Sequence, residues 1–232
     1  MNILLTGASR GIGAATYDLL RSAGHDVLGH STRGSDELIA GDLADPDAPR
    51  QIWESAVSQL GRIDALINNA GIYEAIADDA SDADWHAAWS RTLTVNLTSA
   101  ADLSRLAVQH FKANGGGRIV NVASRAAFRG DSPKHWHYAA SKSAMIAMTK
   151  TIARGYAAEG ILAFAVAPGF TVSEMTEEHL SGRGGAAILA DIPLGRVTTT
   201  DEVAEAIRWL ATEAPAAATG SVIDLNGASY VR

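Results

Sequence analysis

Asn2-Ile3-Leu4-Leu5-Thr6-Gly7-Ala8-Ser9-Arg10-Gly11-Ile12-Gly13 decides the fold of this 232-residue chain. Asn2 to Leu5 is a short apolar run, the pattern of a strand buried on both faces of a parallel sheet. Ala14 to Ala23 then carries apolar residues at helical spacing. Between them, Gly7 permits a tight turn and Gly11 lets backbone N–H groups approach a pyrophosphate. Gly13 lets the helix pack close to the strand. The spacing is G-x-x-x-G-x-G and not the commoner G-x-G-x-x-G. The flanking strand and helix therefore carry the expectation of nucleotide binding, rather than the glycines alone.

Outward from this turn, strand-like and helical runs alternate along nearly the whole chain. Strands are expected at Ile3–Leu5, Val27–Ser31, Leu38–Ala40, Ala65–Asn68, Arg118–Ala123, Leu162–Ala167 and Ser221–Leu225. Helices are expected at about Gly11–Ala23, Pro46–Leu60, Ala83–Ala113, Tyr138–Glu159 and Thr200–Ala211. This is the pattern of a single α/β domain over residues 1–232, a doubly wound, mainly parallel, seven-stranded sheet with helices on both faces. One link strains it. Only Thr32 to Glu37 join the second and third strands, whereas a parallel crossover usually takes about ten or more residues. We expect a parallel pair with the crossover helix reduced to a turn.

Apolar residues make up 47% of the chain, enough to cover both faces of such a sheet. There is no cysteine, which excludes disulfides, thiolate metal sites and a cysteine nucleophile. The first strand begins at residue 2 and no apolar run reaches membrane-spanning length, so a cytoplasmic protein without a membrane partner is expected. The net charge of −7 argues against nucleic acid as a partner, but not against a nucleotide cofactor bound by a local cationic patch.

Tyr138-Ala-Ala-Ser-Lys142 sets a phenol and an ammonium one helical turn apart on a shared face. A free tyrosine titrates near ~10 and is a poor proton donor at neutral pH. A neighbouring cation favours the phenolate and lowers its pKa by about one to three, toward the range useful for acid/base work. Taken alone, the pattern more often describes a solvated surface pair.

With these residues assembled, the chain closely resembles the short-chain dehydrogenase/reductase family over essentially its full length. The resemblance is carried by Thr6-Gly7-x-x-x-Gly11-x-Gly13, Asn68-Asn69-Ala70-Gly71, Asn96 in Val-Asn-Leu, Ser124 ending Ile-Val-Asn-Val-Ala-Ser, Tyr138 with Lys142, and Pro168-Gly169. It implies a Rossmann-type fold and hydride transfer between a nicotinamide and a ketone or secondary alcohol. Tyr138 would be the acid/base, Ser124 a donor to the reacting oxygen, and Lys142 a depressor of the Tyr138 pKa that also holds the nicotinamide ribose. Asn96 would anchor a water that relays protons to Lys142. The cofactor-binding set implied is Gly7, Ser9, Arg10, Gly11, Ile12, Gly13, Asn69, Ala70, Gly71, Pro168, Gly169, Thr171 and Ser173, with Asp42-Leu43 at the adenine. A homo-oligomer, most often a tetramer, is implied as well. The alternatives are a 3-oxoacyl-thioester reductase and a catalytically silent dinucleotide sensor.

Cofactor choice has a chemical reading of its own. NAD enzymes of this fold place an acid about 20 residues past the glycines, on the ribose 2′-hydroxyl. Here the window reads His30-Ser31-Thr32-Arg33, without an acid. Thr32 and Arg33, with Arg10, suit a 2′-phosphate, so NADP is favoured over NAD. A rearranged crossover would be needed to bring Asp36 or Glu37 back.

The substrate is less legible. Arg125, Phe128, Arg129, Lys134, His135, Trp136 and His137 crowd the segment between Ser124 and Tyr138. Phe128 and Trp136 are expected to wall a pocket, the basic residues to attract an anion, and residues 171–191 to form a lid. His135 and His137 lack a third ligand, so no metal is expected. Trp85 and Trp89, four apart on a helix, suit packing. A small or cyclic ketone or alcohol is favoured over a carrier-bound acyl chain, because the negative net charge opposes an acidic carrier.

Overall fold

The computed structural model describes residues 1–171 and 185–232. Most of the expected lid, together with Ser173, lies outside the described residues. Seven strands form one sheet: β1 (Asn2–Thr6), β2 (Asp26–Ser31), β3 (Leu38–Ala40), β4 (Ala65–Asn68), β5 (Gly117–Val122), β6 (Ile161–Pro168) and β7 (Val222–Leu225). Their order is β3-β2-β1-β4-β5-β6-β7, and every pairing is parallel. The helices are α1 (Gly11–Ser22), α2 (Ala48–Leu60), α3 (Asp82–Leu93), α4 (Ser99–Ala113), α5 (Ala126–Arg129), α6 (Trp136–Tyr156), α7 (Gly185–Ala190) and α8 (Thr200–Thr212).

The strands' two-residue period builds the two layers. Leu4, Leu66, Ile119 and Ala163 face α2, α4 and α6, where Ile52, Leu103, Phe111 and Ile152 meet them. Ile3, Leu5, Ile67, Val120 and Val166 face the opposite way, onto Tyr17 and Leu20 of α1 and Val203, Ile207 and Leu210 of α8. α8 starts in a capping box in which Thr199 and Glu202 satisfy each other's backbone N–H. A polar ladder crosses the α4/α6 layer. Asn68 Nδ2 donates to Asn121 Oδ1 at 2.8 Å and to Ser104 Oγ at 3.1 Å, and Asn121 Nδ2 donates to Thr149 Oγ1 at 2.8 Å.

β2 and β3 pair in parallel despite their short link, because the register reaches back very little. Gly29 sits opposite Leu38, so the chain retreats only two residues before pairing again. Gly34 N–H donates to Ser31 Oγ at 3.1 Å, Ser35 N–H to Leu38 O at 3.0 Å and Gly41 N–H to Ser31 O at 3.2 Å, giving the turn the bonds that a helix would have supplied.

The long helix expected over Ala83–Ala113 is interrupted. Thr94–Thr98 forms a π-helical turn between α3 and α4, with Ser99 N–H bonded back to Thr94 O. Such turns accommodate one extra residue and recur at functional sites. Asn96 lies inside it. The helix carrying Tyr138 also starts earlier than expected, at Trp136, and α5 was not anticipated.

Candidate active site

The glycine turn is locked to the segment after β4 by reciprocal bonds. Thr6 Oγ1 accepts from the N–H groups of Asn69 and Ala70, both at 3.1 Å. Asn69 Nδ2 donates to Thr6 O at 3.1 Å and Gly7 O at 3.0 Å. The approach leaves no room for a side chain: a Cβ on Gly13 would lie 1.9 Å from Gly7 O, and one on Gly7 would lie 2.8 Å from Ala70 Cα. Gly7 also holds a φ of +69°.

Above this turn opens a cavity of about 890 Å³. Gly7, Ser9, Arg10, Gly11, Ile12, Gly13, Thr32, Arg33, Asp42, Leu43, Asn69, Ala70 and Gly71 all line it, as expected. Its floor suits a dinucleotide. The α1 N-terminus has no side-chain cap and no acid in its first turn, and a Cβ on Gly11 would meet nothing within 4 Å. Uncapped N–H groups at the positive end of a helix dipole are a ready site for a pyrophosphate. Neither Asp36 nor Glu37 lines this cavity. Glu37 is 3.6 Å from Arg21, and both it and Asp36 line a separate cavity with Tyr17 and Gln59.

His30 also lines the cavity and was not among the expected site residues. It is buried, its Nδ1 accepts from Gly7 N–H at 3.4 Å, and its Nε2 lies 2.8 Å from Gly41 O. A carbonyl only accepts, so the partners assign the ring proton to Nε2. Burial lowers the His30 pKa and keeps the ring neutral. Arg91 and Val95 on the opposite wall were also missed. Nothing in their local sequence distinguishes them.

Ser124, Tyr138 and Lys142 converge in a second cavity of about 410 Å³, with Pro168, Gly169 and Thr171. Arg10, Ile12, Asn69, Gly71 and Ile72 line both cavities, so the two are continuous. Ser124 Oγ accepts from Ala126 N–H at 3.1 Å, and its hydroxyl beside Tyr138 pulls the Tyr138 pKa down. Asn96, fully buried, accepts from Ile72 N–H and donates to Ile72 O. Its side chain thus fixes the chain leading into the cavity wall.

The expected Lys142–Tyr138 coupling takes another form. Lys142 Nζ donates to Val122 O at 2.8 Å and lies 5.9 Å from the Tyr138 ring centroid. Burial pushes Tyr138 up to about 12, against the pull of the Ser124 hydroxyl, and pushes Lys142 down to about 8. The shared helix face brings the two together, but the lysine spends its ammonium on the carbonyl at the end of β5. Desolvation therefore decides both shifts.

The expected substrate walls are corrected as well. Neither Trp136 nor Phe128 lines the cavity. Trp136 packs edge-on against Trp85 at 5.3 Å, and Phe128 stacks on Tyr230 at 5.7 Å. Arg125 and Arg129 are not free to draw in an anion: Asp191 lies 3.6 Å and 2.5 Å from them, and both reach Ser229. Trp85 and Trp89 pack against each other, and Trp89 against the buried His137. Among the described residues no group of side chains could hold a metal ion. Tyr73 and Glu74 line the cavity instead.

A model of the enoyl-(acyl carrier protein) reductase family matches residues 7–227. The chain belongs to the short-chain dehydrogenase/reductase family. It is 33% identical to a 3-oxoacyl-(acyl-carrier-protein) reductase FabG of Vibrio cholerae, covering 98% of this chain and 96% of that protein. It is 36% identical to a nodulation protein G of a Rhizobium species, covering 97% and 94%. A short chain dehydrogenase of Burkholderia cenocepacia, solved in complex with NADP, superposes with a TM-score of 0.88 at 29% identity, covering 98% of this chain and 97% of that one. As a short-chain dehydrogenase/reductase, the chain is an oxidoreductase of carbonyl and alcohol groups.

Proposed function

We propose that this oxidoreductase binds NADP(H) and interconverts a ketone and a secondary alcohol, with Tyr138 as the acid/base. The supporting observation is the continuity of the two cavities, which sets Ser124, Tyr138 and Lys142 at one end of a dinucleotide-sized cleft. Gly11 to Gly13 and the α1 N-terminus would hold the pyrophosphate. Arg33, Thr32 and Arg10 would hold the 2′-phosphate, and Asp42 and Leu43 the adenine. Pro168, Gly169 and Thr171 would flank the nicotinamide, and Ser173 is proposed with them. When bound, the nicotinamide supplies or accepts the hydride.

Tyr138 gives its phenolic proton to the carbonyl oxygen, or takes one from the alcohol. Its high pKa makes it a poor acid on its own, so charge developing on that oxygen and the ammonium of Lys142 must draw the proton across. Ser124 donates to the same oxygen as charge builds there. Asn96, by clamping Ile72, holds the wall opposite Lys142. A Cβ on Gly71 would lie 3.3 Å from Asn96 Oδ1 and 3.4 Å from Lys142 Nζ, so a side chain there would press on both and need Asn96 to give by a few tenths of an ångström. The intact set also argues against a silent sensor.

The names of the FabG relatives favour a second reading, reduction of a 3-oxoacyl group on a carrier. Either way, Tyr138→Phe should keep NADPH binding and lose nearly all turnover, because the ring stays and the proton goes. Near wild-type kcat in that variant would remove Tyr138 from the chemistry. Arg33→Ala should weaken NADPH more than NADH by about 1–3 kcal/mol in titrations; equal losses would remove the 2′-phosphate contact.

A cytoplasmic homotetramer of single-domain subunits completes the proposal. A groove of about 340 Å³ between α4 and α6, lined by Val108, Met148, Ile152 and Tyr156 and rimmed by Arg105, Gln109 and Lys112, suits a partner face with an apolar centre.

A further inference from the structure

We infer that Tyr73 is the specificity-determining wall of the substrate cavity, and that with Glu74 it selects compact uncharged carbonyl compounds over anionic or carrier-bound ones. This rests on the oxidoreductase reading above and names the substrate class of that same site.

Tyr73 is held on several sides. Its ring stacks on His135 with centroids 3.9 Å apart and planes 1° from parallel. Its hydroxyl donates to Asp131 at 3.0 Å, and its ring meets Tyr138 edge-on at 4.8 Å. His135 is fixed in turn by Ser132, whose Oγ lies 2.7 Å from Nδ1. The residue is still 41% exposed while lining the cavity. An aromatic side chain immobilised beside the acid/base and open to the cavity has the properties of a substrate wall. A flexible surface tyrosine would not be held this way.

Charge and size narrow the class. Glu74 sets a carboxylate on the same wall, with Arg91 3.4 Å away on the cofactor side. Arg10 and Lys142 also line the substrate cavity, but the cofactor reading uses both. The next cations, Arg125 and Arg129, are held by Asp191. An anionic substrate would therefore find Arg91 already held by Glu74, and Arg125 and Arg129 already held by Asp191. The cavity of about 410 Å³ must also take the nicotinamide end, and ligand pockets run from about 300 to 1,000 Å³.

The test measures NADPH oxidation with cyclohexanone, acetophenone, acetoacetate and acetoacetyl-CoA, for wild type, Tyr73→Phe and Tyr73→Ala. The wild type should favour the uncharged ketones, by about tenfold or more in kcat/KM. Tyr73→Phe keeps the ring and should keep that ranking. Tyr73→Ala should erase it, chiefly by raising KM for the ketones, with the NADPH dissociation constant unchanged. Turnover with an unchanged ranking in Tyr73→Ala, or loss of NADPH binding there, overturns the role of Tyr73 alone. A wild type favouring the anionic compounds overturns the substrate class. A wild type that binds NADPH and reduces none of the four overturns both this inference and the ketone reading beneath it.

Discussion

Asn96 clamps the main chain of Ile72 from both sides, accepting from its N–H at 2.8 Å and donating to its carbonyl at 2.9 Å. The π turn at Thr94–Thr98 sets that side chain across the chain leading to Tyr73 and Glu74. Asn96→Ala would remove both bonds that hold the partly buried Ile72 backbone, at about 0.5–1.5 kcal/mol each. We expect a lower urea midpoint together with a reduced kcat, since the cavity wall loses its anchor. Full stability with lost activity would instead assign Asn96 a direct part in proton transfer.

Lys142 should make stability rise with pH. Burial lowers it from 10.5 to about 8. Between those values the unfolded chain holds a proton that the folded one has released, so the charge-burial penalty present below pH 8 is relieved as pH rises through that window. Tyr138, raised from 10.0 to about 12, acts oppositely above pH 10, where only the unfolded chain ionises. Urea midpoints at about pH 7 and about pH 9.5 should show the rise in the wild type and lose it in Lys142→Met.

His30 should couple cofactor affinity to acid. Its folded pKa lies below 6.5, so as pH falls below that value the unfolded chain binds a proton first and folded stability declines. Protonation of Nδ1 would also end its bond from Gly7 N–H, at the floor of the dinucleotide cleft. NADPH affinity should weaken from about pH 7 to about pH 5, more in wild type than in His30→Asn. Equal pH dependence in the two proteins would assign the effect to other groups.

Asp191 should keep anions out by occupying both arginines. Arg129 holds its carboxyl below the usual range, with Arg125 adding to the effect. Asp191→Asn keeps the shape and removes the charge, leaving two guanidiniums near Ser124. Acetoacetate should gain relative to cyclohexanone by up to about fivefold, the scale of one exposed ion pair. An unchanged ratio would mean that neither arginine reaches the substrate.

The sheet was legible from its residues because burial on two faces leaves an apolar run whichever layer covers it. Ile3–Leu5 and Ala65–Asn68 needed no knowledge of their partners. The glycine cleft was legible for a similar reason: Gly7 and Gly13 answer local demands for a left-handed turn and a close approach, written in the positions themselves. The short link to β3 was read correctly as parallel, although only the two-residue retreat in register explains how it closes. The walls of the substrate cavity were not legible in this way. Trp136 and Phe128 lie close in sequence to Tyr138 and Ser124, yet helix phase and the C-terminal residues turn them elsewhere. Tyr73, 65 positions from Tyr138, comes to rest against it through the Asn96 clamp and the His135 stack. The direction of the Tyr138 pKa likewise belongs to the tertiary structure. The i,i+4 spacing brings a cation near, but desolvation by the surrounding fold decides the sign.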